Sequence, residues 1–295
     1  VNSVYPLTTS TYAHNFPPSE MGRRVGWGMA LKVLVAAVFG LAIGQILTVR
    51  LDLWWSVVAA AGMMMLVMAA LERRMPSAPL ARSEVEHRRV LPHFDLLGED
   101  RQLRLTIIAW MLMGFGNLML LPLRVEYLAR PQYGIDADPR RIALITVVVP
   151  SAVRLVMMPV FGVVFDRLSF FASRILVNVL FAAYVAAFFT GTSSFGLYAG
   201  SVILGVAAAG GDLMWSLWVT KFAPPDRTAD YMGLHTFFTG VRSFLAPLVG
   251  FAIVGQVSLT WIAVGAAVLM LLASSILVPE MRAERSARRG VVIGA

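Results

Sequence analysis

Eight stretches of this chain are each long enough and apolar enough to cross a lipid bilayer, and that limits what it can fold into more than any other feature. They run approximately over 25–47, 54–71, 105–125, 142–165, 171–191, 196–219, 236–255 and 259–278, rich in Leu, Val, Ala, Met and Phe. A hydrocarbon core about 30 Å thick needs roughly 20 such residues in helical form. Inside it every backbone N–H and C=O must be paired within the chain, which leaves helices or closed barrels. Barrel strands would be shorter and would alternate apolar with polar residues, and no such pattern occurs. Composition agrees: 58% of residues are hydrophobic and 14% charged, against about a quarter charged in a soluble domain. The expected fold class is an all-α integral membrane protein with about eight transmembrane helices.

The net charge is +8, so the placement of the cations decides their meaning. Assigning the connecting segments alternately to two sides puts Arg23, Arg24, the Arg-rich stretch 73–104, Arg167, Arg174, Lys221, Arg227 and the tail 282–289 on one side. The other side holds only Arg50, Arg124, Arg130, Arg140 and Arg141. By the positive-inside rule the first side is cytoplasmic. The charge therefore reads as topology in a plasma or inner membrane, with both long termini and the central segment cytoplasmic, and nucleic acid is not an expected partner. There are no cysteines, which excludes disulfides and thiolate metal centres. Residues 1–24 lack a signal-peptide pattern, so the first long apolar helix is expected to direct insertion.

A repeat runs in parallel through the chain. The segment from Pro17-Pro18 to Gly26 matches Pro224-Pro225 to Gly233 at a shift of 207 residues. One helix later, a shift of 206 aligns Trp55 with Trp261, Ala60 with Ala266, Met64 with Met270, Leu71 with Leu277 and Met75 with Met281. Four apolar segments precede the second copy but only a short polar stretch precedes the first. The expected organisation is a partial first bundle over 1–72, a cytoplasmic linker over 73–102, a complete six-helix bundle over 103–280 and a basic cytoplasmic tail over 281–295. About four helices of the first bundle are expected to be missing at the front.

This organisation resembles the major facilitator superfamily, whose members join two six-helix halves by a long cytoplasmic connector. The resemblance covers nearly the whole chain. Gly162-Val-Val-Phe-Asp166-Arg167-Leu-Ser169, with Arg174 further on, falls where the family has Gly-x-x-x-Asp-Arg-x-Gly and a basic pair. It implies that Gly162, Asp166, Arg167 and Arg174 belong to a cytoplasmic gate. Ser169 stands where the family has Gly, and Phe170 and Phe171 replace the basic pair. Gly40 and Gly44 keep the spacing of the family's antiporter pattern, but Gln45 replaces its proline, so proton-coupled drug antiport is not implied.

Ionisable side chains at membrane depth cost about 2.5–3.5 kcal/mol each on insertion scales and therefore face a protein interior or an aqueous cavity. Lys32, Arg154, Asp212 and Arg242 fall inside predicted spans. From a rise of about 1.5 Å per residue, Asp212 and Arg242 lie at one level on adjacent antiparallel helices, where a buried pair is expected. Alternatively the pair only fixes packing, and Arg242 and Lys32 reach the interface. Arg154 is nearer the midplane. Asp212, Trp215 and Trp218 share a helical face; Asn117 and Asn178 are further candidates. If Arg154, Arg242, Lys32 and Asp212 line one cavity, its charge favours an anion.

The resemblance implies a secondary transporter of a small solute working by alternating access, with lipid, the solute and a coupling ion as partners and no cofactor. The alternative is a non-transporting scaffold or subunit. Motifs for a membrane enzyme are absent, and His14, His87, His93 and His235, in or beside predicted loops, are too scattered for a metal site.

Overall fold

The computed structural model describes residues 5–74, 76, 92–190, 192–221, 223–224 and 227–293; for residues 36, 40–49, 51, 72 and 287–293, among others, only the backbone is described. All regular structure among these residues is helical. α1 (Tyr5–Asn15) is followed by α2 (Met21–Val49), α3 (Trp54–Glu72) and the single turn α4 (Leu96–Glu99). Then come α5 (Arg101–Ala129), the short α6 (Pro139–Ala143), α7 (Val149–Arg167) and α8 (Phe170–Phe189). α9 (Ser194–Leu217), α10 (Thr228–Ile253) and α11 (Leu259–Ile293) complete the chain.

Seven helical segments among the described residues are long and apolar enough to cross a membrane: α3, α5, α6 with α7, α8, α9, α10 and α11. α2, with 29 residues, extends about 43 Å at 1.5 Å per residue and is an eighth of sufficient length.

Polar residues set the starts of these helices. Asp100 accepts the Leu103 N–H at 3.0 Å, Asp138 those of Arg140 and Arg141, Ser169 that of Ala172 and Ser193 that of Gly196. Each satisfies a donor that the first turn leaves open. Ser169 thus starts α8 one residue before the expected span and places Arg174 in its second turn. α10 begins at Thr228, eight residues before the expected span, so His235 lies two turns inside a helix and not beside a loop. Residues 281–293, read as a tail, continue α11 as one helix. Gly40, Gly44 and Gln45 lie in the part of α2 whose side chains are outside the described residues.

α11 packs between α5 and α8, α9 between α7 and α8, α10 against α5, and α2 against α7. Small residues allow the closest of these crossings, as expected between helices in lipid. A Cβ at Gly162 would lie 2.6 Å from the Gly22 carbonyl oxygen, and one at Gly26 2.9 Å from that of Met158. α3 is different: none of the 18 residues Trp54–Leu71 is buried. The repeat-matched positions consequently differ, Met64 and Leu71 being exposed and Met270 and Leu277 fully buried.

One end of the bundle, carrying the start of α2 and the end of α7, is tied by polar contacts. Asp166 accepts the N–H groups of Gly22 and Arg23 at 2.7 and 2.9 Å. The Tyr231 hydroxyl donates to Asp100 at 2.8 Å, Arg101 pairs with the buried Glu280 at 2.8 Å, and Thr9 of α1 donates to the Ser216 carbonyl. Residues 77–91, half of the expected linker, lie outside the described residues.

Candidate functional site

A cavity of about 450 Å³ opens within the bundle, walled by α5, α7, α9 and α10 and by Phe181 of α8. α5 contributes Trp110, Gly114, Asn117, Leu118, Leu121 and Arg124; α7 contributes Pro150, Ser151 and Arg154; α9 contributes Asp212 and Trp215; α10 contributes Thr239, Arg242 and Ser243. Thr146 and Val147 also line it, from the π-helical turn Leu144–Val148 that joins α6 to α7. Pro150 has no N–H to return to the Thr146 carbonyl, a local cause for this break in the α-helical ladder.

Arg154 forms an ion pair with Asp212. The expected partner of Asp212 was Arg242, and this is corrected. Although α9 and α10 are consecutive, α9 packs along α7 while α10 packs along α5, so Asp212 faces α7. Arg242 turns to α5, where its Nη1 donates to the Trp110 carbonyl. Its guanidinium lies directly over Gly114, where any side chain would collide with it, and it is 6% exposed. Lys32 is exposed and does not line the cavity.

Arg124 is the functional candidate that the sequence reading missed. Its position near the end of a predicted span placed it with the outer connecting segment, yet it is 9% exposed. The side chain folds back along α5 so that Nε donates to the Leu121 carbonyl at 3.3 Å. Its Nη1 and the Arg242 Nε are buried without a hydrogen-bond partner. Among the described residues neither arginine has a carboxylate within ion-pair distance. The cavity therefore holds three guanidiniums and one carboxylate, and that carboxylate is already paired.

Behind the cavity wall, Arg174 is completely buried, with its guanidinium 3.4 Å from the centroid of the Trp110 ring. None of its three nitrogens has a hydrogen-bond partner among the described residues. His235 packs against the other aromatic groups, tilted to Trp110 at 4.8 Å and edge-on to Trp218 at 5.1 Å between ring centroids. Its Nδ1 accepts the Trp218 Nε1–H at 2.9 Å, which makes Trp218 part of the packed core. Trp215, by contrast, reaches the cavity and donates to Thr239 at 3.4 Å. Asn178 is fully buried, with neither amide atom hydrogen-bonded among the described residues, and does not line the cavity. Of the gate residues, Gly162 and Asp166 contact α2, Arg167 is exposed beyond them, and Arg174 lies apart with Trp110. No group of three His, Asp or Glu side chains suited to a metal ion occurs among the described residues.

The fold is an all-α, integral-membrane one with a major-facilitator-like arrangement. Its backbone is similar to the crystal structure of the human organic anion transporter MFSD10 (TETRAN), with a TM-score of 0.64 and 17% sequence identity over 92% of this chain and 67% of that one. At that identity the likeness concerns the fold. No protein-family model and no curated protein matches the sequence.

Proposed function

We propose that this protein is a secondary transporter of a small organic anion, working by alternating access with the cavity between α5, α7, α9 and α10 as its binding site. The observation that carries this reading is the pair of buried guanidiniums, Arg124 and Arg242, lining one cavity with no carboxylate within ion-pair distance of either among the described residues. Each represents a cost of about 2.5–3.5 kcal/mol on insertion scales, which an incoming anion offsets. Arg154 and Asp212 hold α7 against α9 beside the site, and Trp215 and Phe181 supply apolar wall. The solute class named for the similar solved structure is consistent with this charge balance.

In this reading the end bearing Asp166 faces the cytoplasm, the side that the excess of Arg and Lys favours. Asp166 then closes that side by holding the first turn of α2, whose N–H groups and partial positive charge favour a carboxylate. The domain organisation expected from the repeat, with α2 and α3 belonging to one bundle and α5 to α11 to the other, is part of the same proposal.

The test is uptake of radiolabelled aromatic and aliphatic carboxylates into proteoliposomes containing the purified protein, with and without a pH gradient. Saturable uptake that Arg242→Gln lowers at least tenfold supports the reading, a factor equivalent to about 1.4 kcal/mol. A second reading, a membrane scaffold or subunit without transport, draws on the wholly uncovered face of α3. Absence of saturable uptake under every gradient moves the conclusion there.

A further inference from the structure

We infer that a groove on the outer surface of the bundle, between the start of α5 and α10, holds one anionic phospholipid, with its phosphate on Arg104 and a chain along α5.

The groove encloses about 330 Å³. Ile108, Met111 and Leu112 of α5 line its length, Phe238 of α10 forms one side, and Leu97 of α4 closes an end. Arg104 is its only charged residue among those described. Arg104, Ile108, Met111 and Leu112 recur at helical spacing and so form one stripe along α5. Leu112 is eight residues beyond Arg104, about 12 Å of helix, which covers most of the roughly 15 Å of hydrocarbon in one leaflet. Ile108 is 43% exposed and Phe237, beside Phe238, is 40% exposed, so the groove opens outward. The same two helices line the cavity with other residues, Gly114 and Asn117 from α5 and Thr239 and Arg242 from α10. Phe94 and Phe237 meet the Phe238 ring nearly at right angles, at 6.2 and 5.6 Å between centroids, and hold that side wall in place.

The charge at the mouth selects the occupant. Arg104 lies one turn into α5, just before the apolar span that begins near residue 105, which is the level of lipid headgroups. It is exposed, its Nη1 donates to the Leu97 carbonyl at 2.7 Å, and among the described residues no carboxylate lies within ion-pair distance of it. The other charges at this corner are engaged. Arg101 pairs with Glu280 and Arg227 with Glu99. Asp95 and Asp230 lie against His93, and Asp100 caps α5 and accepts the Tyr231 hydroxyl. A guanidinium carries five N–H donors, so the bond to Leu97 leaves donors for a phosphate. An occupant that is apolar along about 12 Å of helix and anionic at the Arg104 end is an anionic lipid. Basic pockets between helices at the membrane boundary recognise such headgroups.

The test is native mass spectrometry of the purified full chain in detergent. It is titrated with dioleoylphosphatidylglycerol or with dioleoylphosphatidylcholine, which has the same chains and no net charge. One phosphatidylglycerol is expected to be retained with about fivefold the affinity of phosphatidylcholine, the factor that one interfacial arginine gives. Arg104→Gln is expected to bring the first lipid to the level of the second, and Ile108→Trp, which fills the groove, to weaken both. Arg285→Gln removes another exposed arginine at the same end of the bundle and is expected to change neither. Equal retention of the two lipids overturns the inference. An effect of Arg285→Gln as large as that of Arg104→Gln replaces the site with diffuse surface charge. Retention untouched by both groove variants places the lipid elsewhere. Glycerol 3-phosphate, a headgroup without chains, is expected not to compete, and competition by it would assign Arg104 to a soluble phosphate. Should a groove variant fail to fold, the two lipids and glycerol 3-phosphate on the wild-type chain still decide.

Discussion

Asp166, in the last turn of α7, holds the first turn of α2 by accepting the Gly22 N–H at 2.7 Å, with its second oxygen on the Arg23 N–H. A carboxylate borrowed from another helix thus performs the capping that α2 does not supply for itself. Asp166→Ala is expected to cost about 1 kcal/mol, in the range of lost caps, and to speed amide hydrogen exchange at residues 22 and 23. Asp166→Asn, which keeps an acceptor but loses the charge, is expected to fall between. Unchanged exchange in the alanine variant removes this contact from the description of how the bundle end is held.

The crossing of α2 over α7 depends on the absence of side chains. At Gly162 a Cβ would meet the Gly22 carbonyl oxygen at 2.6 Å and the Arg23 Cα at 3.0 Å, both main-chain atoms that cannot swing aside. Gly162→Ala is expected to push the helices apart and lower stability by about 1–3 kcal/mol, as overpacking does. Gly28→Ala, also on α2 but with nothing within 4 Å, is expected to be neutral or to gain up to about 1 kcal/mol from helix propensity. Thermal unfolding in detergent compares the two, and equal losses would refute the close crossing.

Arg154 and Asp212 form a charged pair that lines the cavity and is more than one-third exposed on both sides. Water screening places its coupling near 1 kcal/mol rather than at the several kcal/mol of a sealed pair. Asp212→Asn leaves a third unbalanced guanidinium in the cavity, and Arg154→Gln leaves a carboxylate facing the anion. Each is expected to lower uptake at least tenfold. The double variant is expected to recover part of that loss, and strict additivity in the cycle would show that the two act independently.

Arg174 has the Trp110 ring as its close partner and, among the described residues, no hydrogen bond on any guanidinium nitrogen. A cation–π contact when desolvated contributes about 2 kcal/mol, less than the several kcal/mol of burying the charge. Arg174→Met, which fills similar space, is therefore expected to raise the unfolding midpoint in detergent. A lowered midpoint would show that the guanidinium has polar partners in solution.

The spans were legible because lipid imposes one rule on every residue it touches: apolar runs such as Trp54–Leu71 and Phe170–Phe189 announce themselves without knowledge of their neighbours. The partners of buried charges were not. Depth along a helix places Asp212 and Arg242 at one level, but depth says nothing about which helices lie side by side, and α9 turns to α7 while α10 turns to α5. Arg124 was obscured because its Cα lies near a helix end while its head folds inward to Leu121. His235 was obscured because Asp226, Arg227 and Asp230 drew the start of the span too late. For Arg174 a signal existed: Ser169, read as a departure from the loop pattern, is the N-cap that starts α8.

Where α2 crosses α7 at Gly22, Gly26 and Gly162, a side chain added on either helix would meet the other helix's main chain, with Phe165 packed beside the contact. The joint is therefore shaped by backbone, and Asp166 latches it through two main-chain N–H groups, so its closed position is written in the path of the chain more than in the identity of the side chains around it.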